Sequence, residues 1–281
     1  MEKHRRRSMI IDGHAHACGQ FLTCEGLERY LMEHKIDRVV LCGGEAESTK
    51  NYHYPMLSNV FWGQGLAYAV NRVIQRMSKK SDMVSHMKEE NMMVYAMARK
   101  LPDRISNAYW INPEDPEAIR AMEDFYNHYG FCMVKLHQCW STFMVDSAVC
   151  NEIYKWAAAR KLPVFIHLLN KGQVKRFVEV ANQNRKTTFI VAHMIGAKYM
   201  RGKLKYNNVY FDLSAPQLYS KRTMRSALRY YGASRLVLGS DTPYGRDNVD
   251  RVRKRLKKMK LSKAKTGQIL GDNMKWLLKL K

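Results

Sequence analysis

The sequence predicts an α/β fold of the (β/α)8 type, a TIM barrel, with residues 1–281 in a single domain. Two observations predict this architecture. Eight short apolar runs, most of them stopped by a polar residue, have the pattern of buried parallel strands, and amphipathic segments with helical periodicity lie between most of them. Strands that alternate with helices pair in parallel, and eight such units in a chain of this length favour a closed barrel.

The predicted elements follow one another regularly along the chain. The strands are residues 8–17, 38–44, 106–112, 132–138, 163–169, 187–194, 209–214 and 235–241. The helices between them are residues 24–34, 116–129, 146–160, 172–184, 221–231 and 248–259. Turn-forming residues agree with these boundaries, because Gly130 ends a helix before strand four and Pro163 separates a helix from strand five.

Two segments extend beyond a minimal barrel. Residues 45–105 form a helical insertion after strand two, with helices predicted at about 59–78 and 86–101. An insertion of this length is typical of a lid or a binding loop. Later in the chain, the segment KTGQILGDNMKWLLKLK has an apolar stripe at helical spacing. We expect this C-terminal helix to cover the bottom or the side of the barrel.

Composition and cysteine spacing indicate a cytoplasmic protein. Although 46% of the residues are hydrophobic, no segment approaches the roughly 18 consecutive apolar residues of a membrane helix. The basic start, MEKHRRRS, is not followed by the apolar core of a signal peptide. The six cysteines lack zinc-finger spacing, which is typical of reduced thiols in the cytosol. We therefore expect neither export nor a membrane partner.

The formal net charge of +23 is concentrated at the two ends of the chain. Residues 246–281 hold 13 Lys and Arg against 3 Asp, and residues 1–8 hold 4 against 1 Glu. The helix at 248–259 has one apolar face, and Arg255 is predicted to project from the opposite, solvent-facing side. Basic charge without a recognition motif is weak evidence for a specific nucleic-acid partner. We expect a small-molecule substrate instead, with anionic compounds slightly favoured by the charge.

Five side chains at the ends of predicted strands form a candidate metal site. They are His14, His16, His167, His193 and Asp241. Alternate residues of a strand face the same side, so His14 and His16 should both point into the barrel. The carboxyl ends of barrel strands meet at one rim, where the active sites of this fold lie. Imidazole and carboxylate donors suit zinc, with iron or manganese as alternatives, so the pattern favours a metallohydrolase.

Several segments resemble the amidohydrolase superfamily, specifically its amidohydrolase-related branch. They are IDGHAH, LPDRISNAYWINP, GFCMVKLHQ with the following YKWAAARKLPVFIHL, VLGSDTPYG and ILGDNMKWLL. The branch contains aminocarboxymuconate semialdehyde decarboxylase, resorcylate-type decarboxylases and many lactone or amide hydrolases. The similarity extends over about residues 9–44 and 88–281 and leaves residues 45–87 unmatched.

The resemblance implies that His14, His16, His167 and Asp241 bind one divalent metal, most simply zinc, and that His193 and Asp241 are the catalytic residues. It also implies hydrolysis of a small carbonyl substrate, which is an amide, an ester or a lactone. The alternative within the same branch is non-oxidative decarboxylation, a carbon–carbon lyase reaction. Dimers are common among similar proteins, so a homodimer is the assembly that the resemblance favours.

Lys135 and His137 on strand four are candidate substrate-binding residues. They lie two residues apart and are predicted to face the same side of the strand. His137 is placed to bind a substrate carboxylate. In some relatives a carboxylated strand-four lysine bridges two metals, and this binuclear interpretation of Lys135 stays open beside that of a pocket residue.

Two other functional classes fit parts of the pattern. A deoxyribonuclease of the TatD-like type shares the barrel and would explain the basic surface, but that type usually brings a metal-binding glutamate from a middle strand. The segments NAYWIN and CMVKLH contain no glutamate. A non-catalytic basic binding protein is disfavoured because candidate ligands stand at the ends of several strands.

Overall fold

The predicted (β/α)8 barrel is confirmed. The computed structural model describes residues 8–45, 47–59, 65–78 and 86–280. Within these residues, eight parallel strands follow one another in consecutive order around one sheet. Their bounds are β1 Ile11–His16, β2 Arg38–Cys42, β3 Ile105–Trp110, β4 Met133–His137, β5 Val164–His167, β6 Phe189–Val191, β7 Val209–Asp212 and β8 Leu236–Val237.

Backbone hydrogen bonds between β1 and the chain that follows β8 close the ring. The Gly13 amide donates to the Leu238 carbonyl at 2.8 Å, and the Asp241 amide donates to the His14 carbonyl at 2.8 Å. Closure of the barrel therefore places Asp241 directly beside β1. This pairing brings together two site candidates that lie at opposite ends of the sequence.

Several of the helices begin at a capping side chain. Their bounds are α1 Cys24–Glu33, α2 Gly65–Ser78, α3 Met87–Lys100, α4 Ala118–Tyr129, α5 Ala148–Arg160, α6 Lys171–Gln183, α7 Ala197–Met200, α8 Lys221–Tyr231, α9 Asn248–Lys258, α10 Lys263–Gly267 and α11 Asn273–Leu277. Thr23, Ser147, Asn170 and Ser220 each accept a hydrogen bond from an amide of the first turn, as N-cap residues do. In the described part of the chain, no helix has the length and apolarity needed to cross a membrane.

The insertion between β2 and β3 contains the two predicted helices, α2 and α3. The predicted beginning of α2 falls partly on residues 60–64, which lie outside the described ranges. Helix α3 packs on β3, where Asn91 donates to the Trp110 carbonyl and accepts from the Trp110 amide, both at 2.8 Å. The insertion is thus joined to the barrel by a buried side-chain amide.

Alternate residues of the strands form an inner and an outer apolar layer. The inner layer takes at least one residue from each strand, namely Ile11, Val40 with Cys42, Ala108, Met133, Phe165, Ile190, Tyr210 and Val237. The outer layer includes Val39, Val134 and Ile166, which pack in the larger core cluster with helix residues. Side chains of a strand point alternately to its two faces, and this alternation produces the two layers. The filled interior supports the rim of the barrel above it.

The C-terminal helical segment covers the bottom of the barrel, as predicted. It consists of α10, a π-helical turn over Gln268–Asp272 and α11. Met274 and Leu277 of α11 pack with the inner layer and with residues that precede β1 and β4. The N-terminal ends of the strands are therefore closed, and the carboxyl ends remain for the site.

We expect the substitution Asn273→Leu to lower the free energy of unfolding by about 1–3 kcal/mol, because two buried carbonyls lose their donor. The Asn273 side chain is buried, and its Nδ2 donates to the Ala233 and Leu236 carbonyls at 2.8 Å each. Urea unfolding followed by circular dichroism measures the change. The exposed-site control Lys263→Leu should stay within about 0.5 kcal/mol of wild type. Equal losses in the two variants would contradict the anchoring role.

The structure differs from the predicted strands at two ends that carry site candidates. The predicted strand 187–194 ends at Val191, and His193 lies in the following turn with a φ of 50°. The predicted strand 235–241 ends well before Asp241, whose φ is 60°. Left-handed backbone is costly for residues other than glycine, and it concentrates at functional sites, where the surrounding structure maintains it.

The prediction that Arg255 points to solvent is wrong. Its side chain is only 3% exposed. Nη1 donates to the Tyr219 carbonyl at 2.8 Å, Nη2 donates to Ser58 Oγ at 3.0 Å, and the guanidinium lies 5.1 Å from the Tyr219 ring centroid. The insertion segment that carries Ser58 covers this side of α9. The helix face that was predicted to be exposed therefore packs inside the protein at Arg255.

Candidate metal centre

The carboxyl ends of the strands bring three of the five predicted side chains into direct contact. Asp241 Oδ1 lies 3.1 Å from His14 Nε2 and 3.5 Å from His16 Nε2. Both imidazoles are almost completely buried, and the Asp241 side chain is 13% exposed. The alternation of β1 turns both rings to the inner face, as predicted, and barrel closure places the carboxylate against them.

His193 lies on the other side of the same carboxylate. Its Nε2 is 3.9 Å from Asp241 Oδ2, and its Nδ1 is 2.9 Å from Ser214 Oγ and 3.6 Å from Asp212 Oδ2. The His193 amide also donates to Asp212 Oδ2 at 3.1 Å, and the Ser214 hydroxyl donates to the same oxygen. The end of β7 therefore holds both the ring and the backbone of His193 and leaves Nε2 directed at Asp241.

His167 is near these groups but is not in direct contact with the carboxylate. Its ring centroid is 4.8 Å from that of His193 and 4.0 Å from that of His137, its register partner on β4. His167 Nε2 lies 2.9 Å from Asn71 Oδ1 and 3.9 Å from Cys139 Sγ. The structure thus assembles His14, His16 and Asp241 closely and places His167 beside them with one nitrogen already engaged.

Lys135 and His137 both lie on the inner face of β4, as predicted. Lys135 is fully buried, and its Nζ is 3.0 Å from His14 Nε2 and 4.2 Å from the centroid of the Phe165 ring. His137 Nδ1 accepts a hydrogen bond from the Cys139 amide at 3.2 Å. Lys135 approaches the same nitrogen of His14 that faces Asp241, so its positive charge would oppose a cation held by that nitrogen.

Burial and local charge determine the protonation of the site. Burial lowers the pKa of Lys135, and it lowers the pKa of His167 well below its usual range, an effect that the charges of His193 and Lys135 reinforce. Burial raises the pKa of Asp241, but the charge of His193 and the hydrogen bonds from the two β1 imidazoles outweigh it and hold this pKa well below the usual range. The site therefore combines an ionised carboxylate with a neutral imidazole, the protonation states in which these side chains bind metals.

Tyrosines border the site on its outer side. The Tyr244 ring centroid lies 5.3 Å from that of His16, and Tyr52 stacks on Tyr244 at 5.4 Å. The Tyr244 and Tyr52 hydroxyls donate to Glu45, at 3.2 Å and 3.1 Å. This carboxylate places negative charge beside the site, which is the opposite of what the expected preference for anionic substrates requires.

A family model described as amidohydrolase matches residues 59–274 of the chain, about three quarters of its length. The protein belongs to the amidohydrolase family. It is therefore an enzyme of the amidohydrolase superfamily, as predicted. The match begins within the insertion, so the expectation that residues 45–87 lack a counterpart in the family is wrong from residue 59 onward.

Solved structures of this amidohydrolase type share the fold over nearly the whole chain. A 2,6-dihydroxybenzoate decarboxylase from Rhizobium is 14% identical with a TM-score of 0.65, over 98% of this chain and 99% of that one. A probable 2-pyrone-4,6-dicarboxylic acid hydrolase from Acinetobacter baumannii, with citric acid bound, is 14% identical with a TM-score of 0.63, over 96% and 99%. An amidohydrolase from Burkholderia multivorans with bound zinc is 13% identical with a TM-score of 0.65, over 97% and 100%. Among curated proteins, no sequence matches the chain.

The amidohydrolase family is metal-dependent, and the residues present in this member fit a divalent cation. His167 Nδ1 is buried and has no hydrogen-bond partner within the described ranges. An unsatisfied buried nitrogen is costly, and coordination of a cation would satisfy it. The rim also holds two groups of buried donors whose ligand atoms lie within 4.8 Å of one another: His14, His16 and Cys42, and His137, Cys139 and His167.

Sequence reasoning missed three residues that hold the site together. Asp212 and Ser214 orient His193, and Asn71 contacts His167. Asp212 follows the apolar run of β7, so the strand-end pattern that identified the other candidates could have identified it as well. Asn71 carries no such signal, because a polar residue within an amphipathic helix resembles any surface position.

Proposed function

We propose that the protein is a metal-dependent hydrolase that adds water to a small amide, ester or lactone, with His14, His16, His167 and Asp241 holding one divalent cation. Zinc is the favoured ion because imidazole and carboxylate donors suit it, with manganese or iron as substitutes. The zinc bound in a structure of similar fold supports this choice. The six free thiols favour a reducing compartment, and we include a cytoplasmic location in the proposal.

The observation that carries the proposal is the position of the Asp241 carboxylate, which lies between the two β1 imidazoles on one side and His193 on the other. Its Oδ1 faces His14 and His16, and its Oδ2 faces Nε2 of His193. A carboxylate with a low pKa becomes an effective base only toward a water whose acidity has been raised. A divalent cation, when bound, supplies that acidity and polarises the substrate carbonyl.

The side chains around Asp241 are arranged to move one proton. Asp241 accepts a proton from the water as the water oxygen bonds to the carbonyl carbon. Asp241 passes this proton to His193, which Ser214 and Asp212 orient, and His193 delivers it to the leaving oxygen or nitrogen as the bond between that atom and the carbonyl carbon breaks. The separation of 3.9 Å between His193 Nε2 and Asp241 Oδ2 is long for a hydrogen bond, but such contacts shorten when substrate binds. The products are a carboxylic acid and an alcohol or amine.

We assign contact with the substrate to Lys135, His137 and Trp110. Lys135 offers a buried positive charge to a substrate oxygen, and His137 lies beside it on β4. The Trp110 ring centroid is 5.6 Å from that of His16 and 5.8 Å from that of His137. The buried Nε1 of Trp110 has no acceptor among the described residues. An indole N–H that lacks a partner is available to donate to a polar substituent of the substrate.

Decarboxylation of an aromatic acid is the second candidate, and the position of Trp110 favours it. An indole face beside the imidazoles suits the stacking of a flat ring. A protein of similar fold is named 2,6-dihydroxybenzoate decarboxylase. In this reaction the bond between ring carbon and carboxylate breaks, carbon dioxide leaves, and His193 helps to deliver a proton to the ring carbon.

A substrate panel separates the two reactions. Protein loaded with zinc or manganese is mixed with lactones, amides and aromatic carboxylates, and release of acid is recorded beside release of carbon dioxide. We expect acid release that a chelator abolishes and added zinc restores. Carbon dioxide release without acid release would overturn the hydrolase and establish the lyase. Turnover that survives complete removal of the metal would contradict the metal-dependent assignment of both.

A further inference from the structure

One buried amide joins the insertion to the candidate ligand His167. Asn71 lies in α2 and is fully buried. Its Oδ1 is 2.9 Å from His167 Nε2, and its Nδ2 is 3.0 Å from the Leu168 carbonyl and 2.8 Å from the Leu169 carbonyl. A single side chain therefore holds both the imidazole at the end of β5 and the chain that follows it.

The hydrogen bonds leave the Asn71 amide only one orientation. Carbonyl oxygens accept and cannot donate, so the atom that faces Leu168 and Leu169 must be the amino group, Nδ2. The atom that faces His167 is then Oδ1, which can only accept. His167 Nε2 must therefore carry the hydrogen of this bond. The partners alone therefore fix the orientation of this amide.

The position of this hydrogen decides which nitrogen of His167 can bind a cation. A neutral imidazole with its hydrogen on Nε2 has its free lone pair on Nδ1. His167 Nδ1 is the buried atom that lacks a hydrogen-bond partner in the described part of the chain. His16 shows the reverse arrangement, because its Nδ1 donates to the Gly43 carbonyl at 2.7 Å, so the neutral ring that binds a cation has its lone pair on the Nε2 that faces Asp241.

We propose that Asn71 is a positioning residue that holds His167 in the Nε2–H tautomer and so presents Nδ1 to the metal. This inference rests on the proposed function, because it requires His167 to be a ligand. The two imidazoles differ in what fixes them: a backbone carbonyl fixes His16, whereas a side chain of the insertion fixes His167. Docking of α2 and metal affinity are therefore coupled, and the insertion forms part of the metal site.

The tautomer is measured first, on metal-free protein labelled with nitrogen-15 in histidine. Long-range proton–nitrogen correlation spectra distinguish a protonated Nε2 from a protonated Nδ1. We expect His167 in the wild type to show the Nε2–H pattern. The substitution Asn71→Leu keeps the side-chain volume but removes the acceptor, so His167 should change to a mixture of tautomers. A wild-type His167 with its hydrogen on Nδ1 would overturn the proposal.

Zinc affinity, measured by competition with a chromophoric chelator, then separates positioning from simple structural support. Asn71→Leu should weaken zinc binding about 10–100-fold, the usual effect of losing a residue that orients a ligand. Asn71→Asp keeps an acceptor for the Nε2 hydrogen but loses both donors to Leu168 and Leu169. It should therefore keep the tautomer and the zinc affinity while its free energy of unfolding falls. A purely structural role would weaken zinc binding in both variants in proportion to the lost stability.

Asn91→Leu is the matched control, because Asn91 is a similarly buried asparagine of the insertion whose side-chain amide bonds to the Trp110 backbone and, among the residues that the structure describes, forms no hydrogen bond with a candidate ligand. We expect it to lower stability without changing the His167 tautomer. Zinc binding by Asn71→Leu at wild-type affinity would overturn the positioning role. A wild type that binds no zinc, while its His167 tautomer still responds to Asn71, would overturn the proposed function and leave the fixed tautomer established.

Discussion

Asp241→Asn is expected to lower the rate of substrate hydrolysis about a thousandfold, within the range of about 10²–10⁴ for loss of a catalytic base. The amide has the size of the carboxylate, but it cannot accept a proton and carries no charge to balance a cation. Asparagine also tolerates left-handed backbone, which Asp241 adopts with a φ of 60° and which alanine would strain. The substitution therefore removes the charge of Asp241 and leaves the turn intact.

The measurement is the rate of acid release by zinc-saturated protein, with zinc content and thermal unfolding recorded for the same samples. Asp247→Asn is the matched control, because this carboxylate lies in the same segment and is 44% exposed. Among the residues that the structure describes, it forms ion pairs only with His53 and Arg251. We expect the control to hydrolyse substrate at nearly the wild-type rate. If Asp241→Asn bound zinc and kept its rate, another group would have to be the base.

The part of the site that sequence reasoning placed well follows from one property of parallel barrels. The carboxyl ends of all strands meet at one rim, so a polar residue that stops an apolar run there is directed to a shared space. His14 and His16 meet Asp241 in this way, because alternate residues of β1 face the same side and β1 pairs with the chain after β8. Neither step requires knowledge of any loop.

The remainder depends on contacts that a linear pattern does not contain. His193 was expected at a strand end, but a left-handed turn and a hydrogen bond to Asp212 on the neighbouring strand determine its orientation. Asn71 and Arg255 both look like surface residues of amphipathic helices. Both are buried because the insertion folds back onto the barrel, and the path of an insertion is decided by tertiary packing.

Lys135→Met is expected to tighten zinc binding at least about tenfold while it lowers kcat/KM. Lys135 Nζ lies 3.0 Å from the His14 nitrogen that faces Asp241, so a protonated lysine occupies the approach of a cation to this nitrogen. A unit positive charge close to a divalent ion would also cost on the order of several kcal/mol at the effective dielectric of a protein site. Methionine fills the same space without the charge. We expect kcat/KM to fall because a substrate oxygen loses the positive charge of Lys135 as its partner.

Chelator competition gives the zinc affinity, and thermal unfolding of metal-free protein gives a second readout. Removal of a buried ammonium that has no carboxylate within 4 Å among the described ion pairs should stabilise the metal-free fold. Lys155→Met, at an exposed position of α5, controls for the loss of a lysine charge elsewhere and should change neither quantity. The opposite result is equally informative. If Lys135→Met loses zinc, the lysine supports the metal itself, and the binuclear site with a carboxylated Lys135 replaces the mononuclear one.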